Sequence, residues 1–157
     1  MLKVSKDVST ALSLVIAIVF FLCCVAGAFV MPGLVQMLID TPDNIGNRQE
    51  ITQLGRTLVL IASYGILADF IAADIMIFVL LLRIRKKLVF TDTTVALIRG
   101  VSWCCLLLCG ILCFLGIYFQ LSFIAALCVL FLGLCLRVCK NAFEEANQIK
   151  QEHELTI

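Results

Sequence analysis

Four long apolar stretches separated by short polar segments dominate the pattern of this chain. They cover about residues 11–35, 58–82, 101–119 and 121–138. A helix that crosses a membrane needs about 20 mostly apolar residues. Because backbone groups exposed to lipid must be hydrogen bonded within their own segment, each stretch predicts a membrane-spanning α-helix. The predicted fold class is therefore all-α, an integral membrane four-helix bundle that forms a single membrane domain.

The segments outside these spans predict how the helices are connected. Only "YFQLS" (118–122) separates the third and fourth spans, which predicts an antiparallel hairpin. The 36–57 segment contains Pro42 and Gly46 and is predicted to be a loop. Residues 139–157 are predicted to continue the fourth helix as a polar tail.

The first span also has features of a signal peptide. Lys3 and Lys6 precede it, and the small residues at 26–28 resemble a cleavage site. The apolar run continues beyond them through Leu34 and Val35, however, so we expect an uncleaved first span.

Basic residues are distributed unequally between the two sides of the predicted bundle. Ten lie near one set of span ends, and only Arg48 and Arg56 lie on the other side. Lys and Arg are enriched in the cytoplasmic loops of membrane proteins. We therefore predict a multi-pass membrane protein in which both termini and the 83–100 loop are cytoplasmic.

The composition agrees with lipid as the main surroundings of the chain. Hydrophobic residues make up 62% and charged residues 15%, and the mean hydropathy is +1.11. Soluble domains have about 45–50% apolar and about 25% charged residues. The net charge of +1 and the confinement of basic residues to short junctions argue against direct nucleic acid binding.

The chain offers no pattern that is typical of a catalytic or metal site. Its nine cysteines all lie in or at the ends of apolar stretches, where a thiol behaves as a small hydrophobic group. Their odd number and the lack of a histidine within the spans argue against a disulfide framework or a metal centre. No catalytic triad or phosphate-binding glycine loop is present. We therefore expect no enzymatic activity, no cofactor and no metal.

Two acidic residues interrupt the second span, within "YGILADFIAADIMIFVLLL" (64–82). Asp69 lies near the middle of the span. At about 100° per residue, it shares a stripe of mainly small residues, whereas Asp74 lies about 140° away. The other members of the stripe are Ala62, Gly65, Ala72 and Met76. We predict that Asp69 points into the bundle and that the two acids do not form a carboxylate pair.

The role of these two acids has three interpretations. No Lys, Arg or His lies between Thr57 and Arg83, so we expect the neutral acid to be favoured. A neutral carboxyl group can hold two helices together, contact a partner helix, or take part in proton or ion movement. A proton path normally needs a relay of ionisable groups, which the spans do not offer. The structural hydrogen bond is therefore the preferred interpretation.

The predicted cytoplasmic segments offer surfaces for interaction. The basic residues 83–87 can lie against anionic lipid headgroups, and Thr91 or Asp92 can cap a helix that leads into the third span. The tail has an apolar stripe opposite a polar one, and the apolar stripe can fold back on the loop, lie in the headgroups or receive a partner helix. The apolar stripe consists of Val138, Ala142, Phe143, Ala146 and Ile149.

The same two segments resemble a known family. "VFTDTTVALIRGVSW" (89–103) is similar to the Phe-Thr-centred segment of small bacterial four-span membrane proteins, domain of unknown function 2975 (DUF2975). "AFEEANQIKQEHELTI" (142–157) resembles the acidic tail helix of that family, although Glu154 stands where Asp is more usual. The resemblance implies a bacterial cell membrane as the location and a cytoplasmic helix-turn-helix regulator of the Cro/C1 type as a companion. Asp69 and Asp74 are not part of the matching segments, so the resemblance says nothing about their role.

These observations predict a non-enzymatic sensory or interaction protein whose cytoplasmic loop and tail bind a partner, such as that small helix-turn-helix regulator. The alternative is a small transporter, channel or immunity-type protein that uses Asp69 and Asp74. A homo-oligomer or a structural subunit of a larger membrane complex is a further alternative. The candidate docking residues are Phe90, Thr91, Phe143, Glu154, Leu155, Thr156 and Ile157.

Overall fold

Long α-helices account for nearly all of the described chain. The computed structural model describes residues 6–40, 52–86 and 91–155, with side chains over 10–40, 52–86 and 91–149. Each helix contains a stretch long and apolar enough to cross a membrane, as the hydrophobic pattern predicted. The helices are α1 (Lys6–Asp40), α2 (Gln53–Arg85), α3 (Asp92–Leu115) and α4 (Leu121–Leu155). The all-α class and the four membrane-length helices are thus confirmed.

The helices pack in chain order. α1 packs on α2, α2 on α3, and α3 on α4, and over the described residues no other pair has Cα atoms within 8 Å. Contacts between α1 and α2 include the aromatic rings of Phe20 and Phe70, whose centroids are 6.0 Å apart, and a hydrogen bond of 3.3 Å from Tyr64 Oη to the carbonyl oxygen of Ala28. The bundle is therefore open between α1 and α4.

The third helix ends earlier than the hydrophobic pattern predicted. The predicted span ran to residue 119, but α3 ends at Leu115 and residues 116–120 form the turn to α4. Gly116 caps the helix, and a Cβ there would lie 2.7 Å from the ring of Phe123, so a larger residue would clash with the start of α4. Because the residues of this turn are themselves largely apolar, hydrophobicity alone could not separate the turn from the span.

The other helices continue beyond their predicted spans. α1 reaches Asp40 and α2 starts at Gln53, which shortens the predicted 36–57 loop from both sides. An exposed ion pair of 3.2 Å between Arg56 and Asp40 joins these two ends. A cluster of Val35, Val59 and Leu115 forms the buried core nearby. At the opposite end, hereafter the basic end, α2 ends, α3 begins and α4 ends.

Candidate functional site

Asp69 lies on the face of α2 that packs against α3. Its carboxyl group lies next to the thiol of Cys104 in α3. Asp69 is half-buried, and among the described side chains it takes part in no ion pair. The thiol is a weak donor that can serve a carboxyl oxygen in either protonation state. The two side chains are therefore neighbours between the helices, and an interhelical hydrogen bond between them stays a prediction.

Close packing of α2 on α3 continues on both sides of Asp69. A Cβ added at Gly65 would lie 3.5 Å from Cδ1 of Ile111, in ordinary contact. Towards the basic end, a Cβ added at Gly100 would lie only 2.6 Å from Sδ of Met76. Small residues let helix backbones approach closely in a membrane. The stripe that contains Gly65, Asp69 and Met76 is therefore a packing surface for α3, as its spacing predicted.

Asp74 lies on the other side of α2, facing α1. It is 7% exposed and lines an apolar cavity of about 250 Å³ between the two helices. The cavity is also lined by Ala17, Ile18, Phe21, Leu22, Ile75 and Phe78. Asp69 therefore faces one neighbouring helix and Asp74 faces the other. The two carboxyl groups do not form a pair, in agreement with their predicted angular separation.

A polar network joins α3 and α4 at the basic end. Nδ2 of Asn147 in α4 donates a hydrogen bond of 2.7 Å to Oδ1 of Asp92 in the first turn of α3. About one turn before Asn147 in α4, Glu144 forms ion pairs of 3.7 Å with Arg99 of α3 and of 2.6 Å with Lys140 of α4. Asn147 is only 6% exposed, so its amide is held within the helix pair. The network fastens the polar face of α4 to the start of α3.

Because the polar face of α4 contacts α3, part of the predicted apolar stripe of the tail faces away from α3. Val138 is 70% exposed and Ile149 is 52% exposed, and Ala142 between them is also exposed. These three residues recur at helical spacing on the side opposite to Lys140, Glu144 and Asn147. We call them the outward stripe. Its existence was predicted, but its orientation was not, because only the register of the α3–α4 pair decides which face is covered.

The candidate docking residues are placed only in part. Thr91 is the N-cap of α3, and its hydroxyl group is hydrogen bonded to that of Thr94 at 3.0 Å. Phe143 is half-buried in α4. Glu154 and Leu155 lie in the last turn of α4, where the helix but not the side chains is described. Phe90, Thr156 and Ile157 lie outside the described residues.

Sequence reasoning missed the polar residues that hold the basic end together. Asn147 was not singled out, although it follows Lys140 and Glu144 at helical spacing on the same face. Ser102 also joins α3 to α4: its buried hydroxyl group donates to the carbonyl oxygen of Gly133 at 3.1 Å. A search for polar residues at spacings of three and four within the tail would have found Asn147.

The remaining chemistry of the described residues is limited. All nine cysteines are free thiols, and the described part of the chain holds no group of three or more His, Cys, Asp or Glu residues that could bind a metal ion. A comparison of the chain with protein-family models, with curated proteins and with solved structures found no match. The resemblance to the domain of unknown function 2975 therefore stays a prediction from the sequence.

Proposed function

We propose that this chain is a multi-pass membrane protein that acts by binding a protein partner at its basic end, on the cytoplasmic side, rather than by catalysis. The proposal is supported above all by the outward stripe of Val138, Ala142 and Ile149 on α4. Apolar side chains at such a spacing are a common docking surface for a partner helix. The polar side chains of Asp92 and Asn147 are hydrogen bonded to each other, so the apolar stripe is the surface of α4 that we assign to the partner.

The polar network makes this surface suitable for recognition. Because Asn147 and Glu144 join the opposite face of α4 to α3, and Lys140 pairs with Glu144 within α4, the stripe is presented by a helix that is already formed. A preformed helix loses less conformational entropy on binding than a disordered tail. A small helix-turn-helix regulator is the partner that the family resemblance suggests, and its capture at the membrane would couple the protein to gene regulation.

The proposal is tested by affinity purification of the full chain from native membranes, with bound proteins identified by mass spectrometry. Two variants are compared with it: a chain that ends at Glu152, and Ile149→Ser, which removes one apolar contact from the outward stripe. Gln148→Ser is the matched control, because Gln148 is an exposed neighbour that lies off the stripe.

We expect one partner, with a helix-turn-helix domain, to be lost from both variants and retained by Gln148→Ser. Burial of an isoleucine side chain contributes roughly 1.5–3 kcal/mol, so its loss should weaken binding at least tenfold. A set of bound proteins that is the same for all four chains would contradict the proposal.

A transporter, channel or immunity-type protein is the second candidate function. It is favoured by one observation, the position of the buried Asp74 on the apolar cavity between α1 and α2. An acidic group at membrane depth is often part of an ion or proton site. This candidate needs the ionisable group of Asp74 and makes no use of the outward stripe, which separates it from the first.

A further inference from the structure

A second cavity lies at the basic end, between the start of α3 and the part of α4 that faces it. Its volume is about 290 Å³, close to the lower end of the roughly 300–1,000 Å³ that is usual for small-ligand pockets. The residues that line it are Arg99, Ser102, Trp103, Arg137, Lys140 and Asn141. Three of these six residues are cationic, and none is acidic.

The positive charge of this cavity is only partly neutralised. Glu144 pairs with both Arg99 and Lys140, but it lines the neighbouring cavity and not this one. The guanidinium group of Arg137 lies over the ring of Trp103, 5.4 Å from its centroid, in a cation–π contact. This contact orients the guanidinium without cancelling its charge. The cavity therefore favours an anion.

One of the two neutral polar side chains of the cavity, Asn141, also favours a ligand that accepts hydrogen bonds, whereas Ser102 has no donor to offer it. The Ser102 hydroxyl already donates to the carbonyl oxygen of Gly133. Oδ1 of Asn141 accepts a hydrogen bond of 3.2 Å from Nζ of Lys140, which leaves the amide N–H groups of Asn141 as the donors of that side chain. Guanidinium, ammonium and amide donors together suit the oxygen atoms of a phosphate group.

The position of Trp103 places the cavity at the edge of the apolar span. Trp103 is 56% exposed, and tryptophan is enriched where a membrane meets water. Leu107 and Leu134, each about one helical turn further into the span, are 61% and 52% exposed. A ligand with its phosphate in the cavity would therefore have lipid-facing apolar surface directly beside it.

From this geometry we infer that the cavity binds the phosphate group of an anionic phospholipid headgroup. The acyl chains lie against the exposed leucines, and the donors of Arg137, Arg99 and Lys140 surround the phosphate oxygens. Basic pockets between membrane helices bind anionic lipids in this way. The inference depends on the cavity lying at the level of the headgroups and not on the partner proposed above.

The sole tryptophan of the chain provides the test. The full chain is reconstituted in vesicles of phosphatidylcholine and phosphatidylglycerol in which one of the two lipids carries brominated acyl chains, which quench tryptophan fluorescence on contact. The ratio of quenching by the two brominated lipids gives the preference of the Trp103 site for the anionic lipid. Arg137→Gln removes a cation from the cavity, and Arg85→Gln removes one from an exposed position on α2 outside it.

We expect the wild-type site to prefer phosphatidylglycerol severalfold and Arg137→Gln to lower this preference on the order of fivefold. Arg85→Gln removes a cation that can contact headgroups only outside the cavity, so it should lower the preference at Trp103 much less. Arg99→Gln should lower it as well, and the helical circular dichroism of each variant shows that it is folded. Equal losses in Arg137→Gln and Arg85→Gln would overturn the inference, because they would indicate diffuse surface charge. Inorganic phosphate is added both to pure phosphatidylcholine vesicles and to the mixed vesicles. If it shifts Trp103 emission in the former and abolishes the lipid preference in the latter, the site binds a soluble anion and the inference is overturned.

Discussion

At the scale of single residues, the contact between Asp69 and Cys104 accounts for an acidic group near the middle of a membrane helix. The half-buried carboxyl group lies next to the Cys104 thiol, on the side of α2 that packs against α3. Hydrogen bonds between membrane helices contribute on average about 0.6 kcal/mol to stability. A hydrogen bond from Asp69 to α3 would therefore influence how α2 and α3 pack while contributing little to the free energy of unfolding.

Asp69→Asn should consequently have little effect on stability. The Asn side chain keeps an oxygen that accepts a hydrogen bond from the Cys104 thiol, so we expect the free energy of unfolding to change by less than about 1 kcal/mol. The measurement is helical circular dichroism of the full chain during titration from mild detergent into sodium dodecyl sulfate. Cys104→Ala, alone and combined with Asp69→Asn, completes a double-mutant cycle. A loss of more than about 2 kcal/mol in Asp69→Asn would show that the carboxyl group contributes far more to stability than one such hydrogen bond.

At the scale of helices, the α3–α4 pair depends on close approach at Gly133. A Cβ added there would lie 3.1 Å from the Cβ of Cys105 and 3.8 Å from the carbonyl oxygen of Ser102. The approach also allows the Ser102 hydroxyl to reach the Gly133 carbonyl. Because a Cβ and a carbonyl oxygen cannot turn aside as the end of a long side chain can, the helices themselves would have to separate around a larger residue.

Gly133→Leu should therefore destabilise the pair, by about 1–3 kcal/mol as is usual when a packed site is overfilled. Gly110→Leu is the matched control, since Gly110 lies in α3 with no atom within 4 Å of an added Cβ. Both changes raise helix propensity, so the comparison isolates packing. The same detergent titration measures both variants, and equal stabilities would show that Gly133 does not limit the approach of α4.

The packing of the helices was predictable from the sequence only in part. The stripe on α2 was predictable because its small residues and Asp69 recur with the period of a helix, and Gly65 and Met76 do contact α3. The orientation of α4 was not predictable, because the helix has both an apolar and a polar stripe and either could face α3. In the structure the polar stripe faces α3. The basic cavity was not predictable either, because Arg99 and Trp103 are far in sequence from Arg137 and Lys140 and only the packing of α3 on α4 brings them together.

At the scale of the whole molecule, the order of packing and the distribution of charge lead to one arrangement in the membrane. Consecutive helices are neighbours, so four crossings bring the N-terminal end of α1 and the C-terminal end of α4 to the same side. Among the described basic side chains, six lie near the basic end and Arg56 lies near the other; the six are Arg83, Arg85, Lys86, Arg99, Arg137 and Lys140. Both proposals share this basic end, where Val138 and Ala142 of the outward stripe lie at the level of the cavity and Ile149 lies roughly two turns further along α4. A partner bound there would lie next to the lipid headgroups.

The orientation is testable with fusions in a bacterial host. Because basic residues are retained on the cytoplasmic side, we expect alkaline phosphatase to be active when fused after residue 45, in the 36–57 segment, and inactive when fused after Ile157. Green fluorescent protein should give the reverse result, since it fluoresces only when it folds in the cytoplasm; this second reporter controls for fusions that are simply degraded. Active phosphatase after Ile157 would contradict the orientation and would remove the outward stripe from the reach of any cytoplasmic partner. The lipid site would survive that result, because anionic headgroups can reach a cavity at either surface of the membrane.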